Sequence, residues 1–189
     1  MKTVIQRVKS ASVTVDGQLI SQIAKGILVF AAVGKDDTPK EAESMASKVL
    51  KMKFWDDDEG GRWKKSVTDI EGEVLCVSQF TLYASTKKGN KPDFHKSAPA
   101  QKGKELYDHF ISNVRKQYQE DRVKDGVFQA MMDVGIVNDG PVTIEIETNP
   151  PEWKDPTGMA SGKAQKPEDG DTLKGHVHKR FEMPASLLD

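Results

Sequence analysis

Alternating apolar and polar positions open the chain. Val4, Ile5, Val8, Val13 and Val15 define two short β-like runs within residues 3–15, separated by Lys9-Ser10-Ala11-Ser12. Asp16-Gly17 then supplies a hairpin signal. Further strands are predicted over residues 19–24 and 27–33, the second nearly all apolar and therefore central in its sheet. The period next lengthens to that of a helix. Thr38, with Pro39 at the first helical position and Glu41 three residues on, makes a capped start, and Ala42, Met45, Ala46, Val49 and Leu50 carry an apolar stripe to about Met52. A short strand at 54–58, a turn at Asp58-Glu59-Gly60-Gly61 and a strand at 73–82 follow. Residues 85–99 form a long loop rich in Gly, Pro and Lys, and a second helix is predicted over about 100–119, with Leu106, Phe110, Val114 and Tyr118 on one face. Strands at 127–137 and 142–148, joined by Asn138-Asp139-Gly140-Pro141, complete the pattern. Strands with two intervening helices and no βαβ rhythm predict an α+β domain of mainly antiparallel, barrel-like sheet.

The pattern stops after residue 148. Five of the nine prolines fall within residues 149–189, where both charge signs mix without periodicity. Residues 1–148 are therefore read as one domain and 149–189 as a flexible, Pro- and charge-rich tail. Trp153, Phe181 and Leu187-Leu188 offer that tail local docking points.

Composition narrows the function. The 189 residues carry 30% charged side chains and a net charge of -1, which excludes coating of nucleic acid by bulk electrostatics but leaves room for a local basic groove. No apolar run approaches the ~20 residues of a membrane span. Charge interrupts the N-terminal residues too early for a secretory signal. The single Cys76 cannot form an intramolecular disulfide, so a cytoplasmic location is expected.

Side-chain chemistry is sparse. The histidines at 95, 109, 176 and 178 lack the spacing of a metal site, and His176-Val177-His178 lies in the tail. Cys76 and His95 form a nucleophile and base pair only on paper, since Leu75 and Val77 place the thiol in a buried strand. Neither Gly34-Lys35-Asp36-Asp37 nor residues 87–91 match a phosphate loop. Lys87, Lys88, Lys91 and Lys96, interleaved with Phe94 and His95, fit either a solvated loop or a nucleic-acid contact. Residues 138–143, NDGPVT, read as a turn, with Pro141 opening a strand without an N–H to donate. A cis bond there would turn the Gly140 and Pro141 carbonyls to one side as a wall free of side chains. At residues 78–82, SQFTL, polar side chains crowd the exit of a buried strand, where backbone N–H groups can hold an oxyanion.

Four motifs in order, QRVKSASVTVDG at 6–17, SQFTL at 78–82, GNKPDFH at 89–95 and NDGPVT at 138–143, resemble the D-aminoacyl-tRNA deacylases, also called the D-tyrosyl-tRNA deacylase family. The resemblance covers residues 1–148. It implies a homodimer that removes D-amino acids, and mischarged glycine, from tRNA, a chiral proofreading hydrolase of translation needing no metal or organic cofactor. By this resemblance Gly140 and Pro141 share a cis bond and enter the neighbouring subunit's pocket, rejecting L-amino acids. Ser78 and Gln79 hold the terminal adenosine, and Phe80 presents its backbone N–H to the scissile carbonyl. Thr81, a nucleophile by residue type, positions substrate while the RNA's 2′-hydroxyl activates water. Phe128, Ala130 and Met132 match a pocket-lining pattern, with plain core packing as the competing account. Two rival readings stand beside the enzyme: a nucleic-acid-binding module without catalysis, and an interaction protein driven by its tail.

Overall fold

The computed structural model describes residues 1–87 and 89–148. In chain order the elements are β1 (Lys2–Val15), β2 (Gln18–Ile23), β3 (Gly26–Ala32), α1 (Pro39–Lys51), β4 (Lys53–Trp55), β5 (Lys65–Ser66), β6 (Glu73–Ser78), α2 (Ala100–Gln117), β7 (Val123–Asp125) and β8 (Asp133–Glu147). The tail at 149–189, with its predicted flexibility and its His176 and His178, lies outside the described residues, as does Lys88.

β1 organises the sheet. It is one strand and not the two short runs that its polar centre predicts. One of its edges pairs with β8 from Lys2↔Glu147 to Thr14↔Asp133, and register shifts on both sides of Val8 absorb the polar stretch. Its other edge is shared: β3 pairs antiparallel with Lys2–Val8, and β2 with Ala11–Val15. The β1–β2 turn has φ of 50° at Asp16 and 78° at Gly17, the paired positive angles that suit a tight hairpin.

Beyond β3 the strands run parallel. β6 pairs with β3 from Gly26↔Glu73 to Ala31↔Ser78, and β7 pairs with β6 from Val74↔Val123 to Cys76↔Asp125. The sheet is therefore mixed, where local pattern predicted mainly antiparallel pairing. The reason is connectivity. α1 with the β4–β5 ribbon separates β3 from β6, and α2 separates β6 from β7, so each crossover returns the chain in the same direction. β2 curls toward β6 and β7, giving the sheet a nearly closed, barrel-like form.

Alternation divides the core between two faces. Ile27, Val29, Ala31, Val74 and Cys76 lie under the helices with Met45, Val49, Phe110 and Val114. Leu28, Leu75 and Val77 face the other way with Val8, Val13 and Ile23. At the start of the parallel pair the backbones nearly touch, and a Cβ on Gly26 would sit 1.9 Å from the Glu73 carbonyl oxygen. The start of β1 and the end of β8 are tied together. The Met1 ammonium donates to Asp37 Oδ1 and to Thr148 Oγ1, each at 2.5 Å, and Thr148 N–H donates to the Met1 carbonyl at 2.9 Å.

Candidate active site

The apolar run of β6 ends at Ser78, sooner than the predicted strand over 73–82. Gln79 N–H donates to the Ala31 carbonyl at 2.8 Å, and the chain then coils into a 3-10 turn over Phe80–Tyr83. Its first internal bond runs from Leu82 N–H to Gln79 O at 3.2 Å. The N–H groups of Phe80 and Thr81 therefore precede any acceptor within the turn. Phe80 is 56% exposed, and its ring stands edge-on to Phe94 with centroids 5.1 Å apart and planes at 63°. Ser97 Oγ donates to the Phe80 carbonyl at 3.1 Å, fixing the loop to the turn. The exposed Thr81 hydroxyl accepts from Gln79 Nε2.

Parallel register brings a second segment to the same place. Because Asp125 lies opposite Cys76, the chain that leaves β7 passes beside Val77 and Ser78, and Gly126 N–H donates to the Cys76 carbonyl at 3.0 Å. Residues 127–132, predicted as strand, form a turn instead. Gln129 takes φ of 65° and Ala130 N–H donates to Val127 O at 3.2 Å, a geometry that breaks any ladder. Phe128 is half-buried against the core under the helices, 5.8 Å from the Tyr107 ring, with Lys104 Nζ 5.7 Å from its own centroid. Met132 packs on the opposite core cluster with Phe30 and Val134, and Ala130 is half-buried between them in sequence. Phe128 and Met132 thus belong partly to two different cores.

Gly140 and Pro141 do not form a hairpin. β8 runs through them as one strand, with Asn138 opposite Val8 and Thr143 opposite Gln6, so the local turn signal yields to pairing along β1. The Gly140–Pro141 peptide is cis, and Gly140 takes φ of 124°. A Cβ there would lie 2.9 Å from Val142 Cγ2 and 3.2 Å from Arg7 Nη2. Arg7 is the residue that sequence reasoning missed. Its Nε donates to the Asp139 carbonyl at 3.0 Å and lies 3.2 Å from Asp139 Oδ2, while Nη1 donates to the Phe54 carbonyl at 2.6 Å. The available signal was a lone arginine inside the apolar alternation of β1.

Both members of the 140–141 pair are exposed, as are Ile136 and Val137 on the same strand. No described strand pairs with the outer edge of β8. Along the sheet, β1 and β3 stand between β8 and β6. The register therefore brings Gly126 against Cys76, two residues before Ser78, while β1 and β3 keep Gly140 and Pro141 of the same chain about three strand spacings from β6, roughly 14 Å across the sheet.

Titratable groups near the strand ends are poor nucleophiles. Burial pushes the Cys76 thiol far up, and the Asp125 charge pushes it the same way. Burial likewise raises the Tyr83 hydroxyl, helped by Asp37 and Glu147. Asp125 is itself raised by burial, although the Tyr107 hydroxyl donates to it at 2.7 Å. His95 Nδ1 lies 2.7 Å from Asp93 Oδ2 on the exposed loop. Among the described residues, no three His, Cys, Asp or Glu side chains converge as a metal site would require.

The fold and site define a barrel-like α+β domain whose parallel strand end presents backbone donors and an exposed phenylalanine. Comparison with known proteins gives that class a family. Residues 4–147 match the family described as D-Tyr-tRNA(Tyr) deacylase. A D-aminoacyl-tRNA deacylase of Yarrowia lipolytica is 54% identical over 150 residues, covering 78% of this chain and 97% of the relative. The human D-aminoacyl-tRNA deacylase 1 is 49% identical over 151 residues, covering 80% and 72% respectively. A solved structure titled c-Myc DNA Unwinding Element Binding Protein superposes with a TM-score of 0.76 at 49% identity, over 80% of this chain and all of that one. The chain belongs to the D-Tyr-tRNA(Tyr) deacylase family.

Proposed function

We propose that this chain is a D-aminoacyl-tRNA deacylase, a hydrolase that cleaves the ester joining a D-amino acid, or mischarged glycine, to the terminal ribose of tRNA in the cytoplasm. Family membership supplies the reaction. The observation that carries the assignment of residues is the strand end at 78–81, where the N–H groups of Phe80 and Thr81 precede any acceptor within the turn.

Ser78 and Gln79 orient the terminal adenosine, with Phe128, Ala130 and Met132 bordering the substrate. The Phe80 N–H donates to the carbonyl oxygen as it gains charge. The RNA's 2′-hydroxyl activates a water, whose oxygen adds to the carbonyl carbon. The bond to the ribose oxygen then breaks, and that oxygen takes a proton as it leaves. Thr81 positions substrate, a role supported by its bond with Gln79 and by the absence of a base bonded to it among the described residues.

Selection against L-amino acids is assigned to Gly140 and Pro141 of a second copy. Three features support action across subunits: the separation of β8 from β6 within one chain, an outer edge of β8 that no described strand pairs with, and the exposed Ile136 and Val137 beside the pair. Exclusion by fixed main chain discriminates more strongly than the ~1–3 kcal/mol obtained from one methylene in a pocket.

The test is hydrolysis of matched D- and L-tyrosyl-tRNA by metal-free protein, with Gly140→Ala and Thr81→Ala alongside and the mass in solution measured by light scattering. The D-ester alone is cleaved by wild type, Gly140→Ala loses selectivity, Thr81→Ala retains turnover with weaker binding, and the species is a dimer. Absence of turnover on either ester would leave the two readings without catalysis, a nucleic-acid-binding module and an interaction protein. A monomer with full selectivity would end the assignment across subunits.

A further inference from the structure

The proposed chemistry uses the last nucleoside and leaves unassigned a concentration of positive charge beside it. Between residues 84 and 104 the chain holds six lysines against one acid, Asp93, in a protein whose net charge is -1. Folding adds a seventh lysine. Lys35 N–H donates to the Lys96 carbonyl at 2.9 Å, and Lys102 Nζ donates to the Lys35 carbonyl at 2.6 Å, so three separate segments converge. The bridges Gly34↔Ser97 and Ser85↔Asp93 fold the loop onto the body of the domain.

Four other lysines are neutralised by carboxylates. Lys2 lies 3.1 Å from Glu145, Lys53 2.7 Å from Asp69, Lys65 2.6 Å from Asp58 and Lys104 2.7 Å from Asp108. Lys35, Lys87, Lys91 and Lys96 are exposed and form no ion pair among the described residues. Nearby acids are mostly engaged. Asp93 holds His95, and Asp37 accepts from the Met1 ammonium and from Gly34 N–H, leaving Asp36 exposed beside Lys35. The patch adjoins the exposed Phe80, which stacks edge-on to the half-buried Phe94 and to which Ser97 ties it. Unneutralised ammonium groups next to an open aromatic edge are what a flexible, single-stranded phosphate backbone with stacking bases requires.

We infer that Lys35, Lys87, Lys91 and Lys96 form the track that carries the single-stranded 3′ end of the RNA into the site at residues 78–81. This rests on the deacylase reading for its direction, though not for its phosphate chemistry. Four such contacts on a single strand give a salt exponent of about -2.8, or roughly 50-fold weaker binding between 50 and 200 mM salt.

The experiment replaces all four with glutamine, positions whose exposure leaves the core untouched. Hydrolysis of D-tyrosyl-tRNA is compared with that of D-tyrosyl-adenosine, which has the ester but no phosphate. Binding of a labelled single-stranded RNA ending in CCA is followed across salt, with polyglutamate as competitor. The variant is expected to lose at least about tenfold in kcat/KM on the tRNA and most of the salt exponent of the RNA complex, while cleaving the adenosine ester like wild type. Equal losses on both esters, unchanged tRNA hydrolysis, or polyglutamate binding as tight as RNA would each overturn the track. If wild type cleaves neither ester, the deacylase reading fails. The RNA titrations then decide the track alone: a salt exponent abolished in the variant supports it, and one shared by both proteins overturns it.

Discussion

Arg7→Lys isolates the tether of the Gly140–Pro141 segment. The guanidinium uses two arms in different directions, Nε toward Asp139 and Nη1 toward the Phe54 carbonyl, and its side chain is only 19% exposed. A lysine ammonium keeps the charge but spans one of those directions. Hydrogen bonds to a charged donor contribute ~1.5–3 kcal/mol, and abandoning the carbonyl of the buried Phe54 costs ~1–3 kcal/mol by itself. Water entering beside the partly exposed site offsets some of this, so a loss of about 2 kcal/mol is expected. For a domain of this size that lowers Tm by roughly 4–8 °C. The second readout is selectivity, because the residues freed are those assigned to reject L-amino acids. Thermal unfolding by circular dichroism should show the Tm loss, and the ratio of D- to L-tyrosyl-tRNA hydrolysis should fall. An Arg7→Ala and Asp139→Ala cycle should give a coupling of ~0.5–3 kcal/mol. If Tm moves by less than about 1 °C and the ratio holds, Arg7 does not secure the segment.

Gly26→Ala should abolish folding or cost more than ~4 kcal/mol, because its Cβ would overlap the Glu73 carbonyl at 1.9 Å; a normal urea midpoint would contradict that contact. Cys76 should resist a thiol reagent at pH 8 in the native protein and react fully in urea, with Cys76→Ala retaining D-ester hydrolysis, since burial suppresses its thiolate. Asp125 is raised in the fold, so as pH climbs through the ordinary carboxylate range the unfolded chain ionises first and stability is lost. Asp125→Asn, which keeps an acceptor for Tyr107, should therefore be more stable than wild type at pH 7 by chemical denaturation. That advantage should vanish below about pH 3, and an equal gap at both pH values would refute the burial argument.

The helices were legible because their apolar stripes and the Thr38-Pro39-Glu41 start are local signals, and both ends fall within a few residues of those expected. Strand order was not. β7 has three residues, too few for periodicity, and the parallel pairing of β3 with β6 depends on crossovers that no short window contains. Residues 138–141 carry a turn signal and yet lie inside a strand, because β1 supplies a partner on both sides of them. The strand end at 78–81 stood out as polar residues following an apolar run. Arg7 did not, since its role requires Phe54 and Asp139, both remote in the chain. The lysine cluster was half visible: residues 87–96 are contiguous, but Lys35 joins them only through backbone bonds to Lys96.

The pairing of β1 with β8 also sets when the sheet of a newly made chain closes. β1 waits for β8 along its entire long edge, a contact of very high sequence separation. Synthesis proceeds at ~5–20 residues per second, so that edge stays bare for many seconds after β1 emerges and is open to aggregation meanwhile. Residues 133–147 end this exposure and deliver Gly140 and Pro141 in the same event. A chain stalled before β8 lacks both the long partner of β1 and the segment assigned to discriminate handedness.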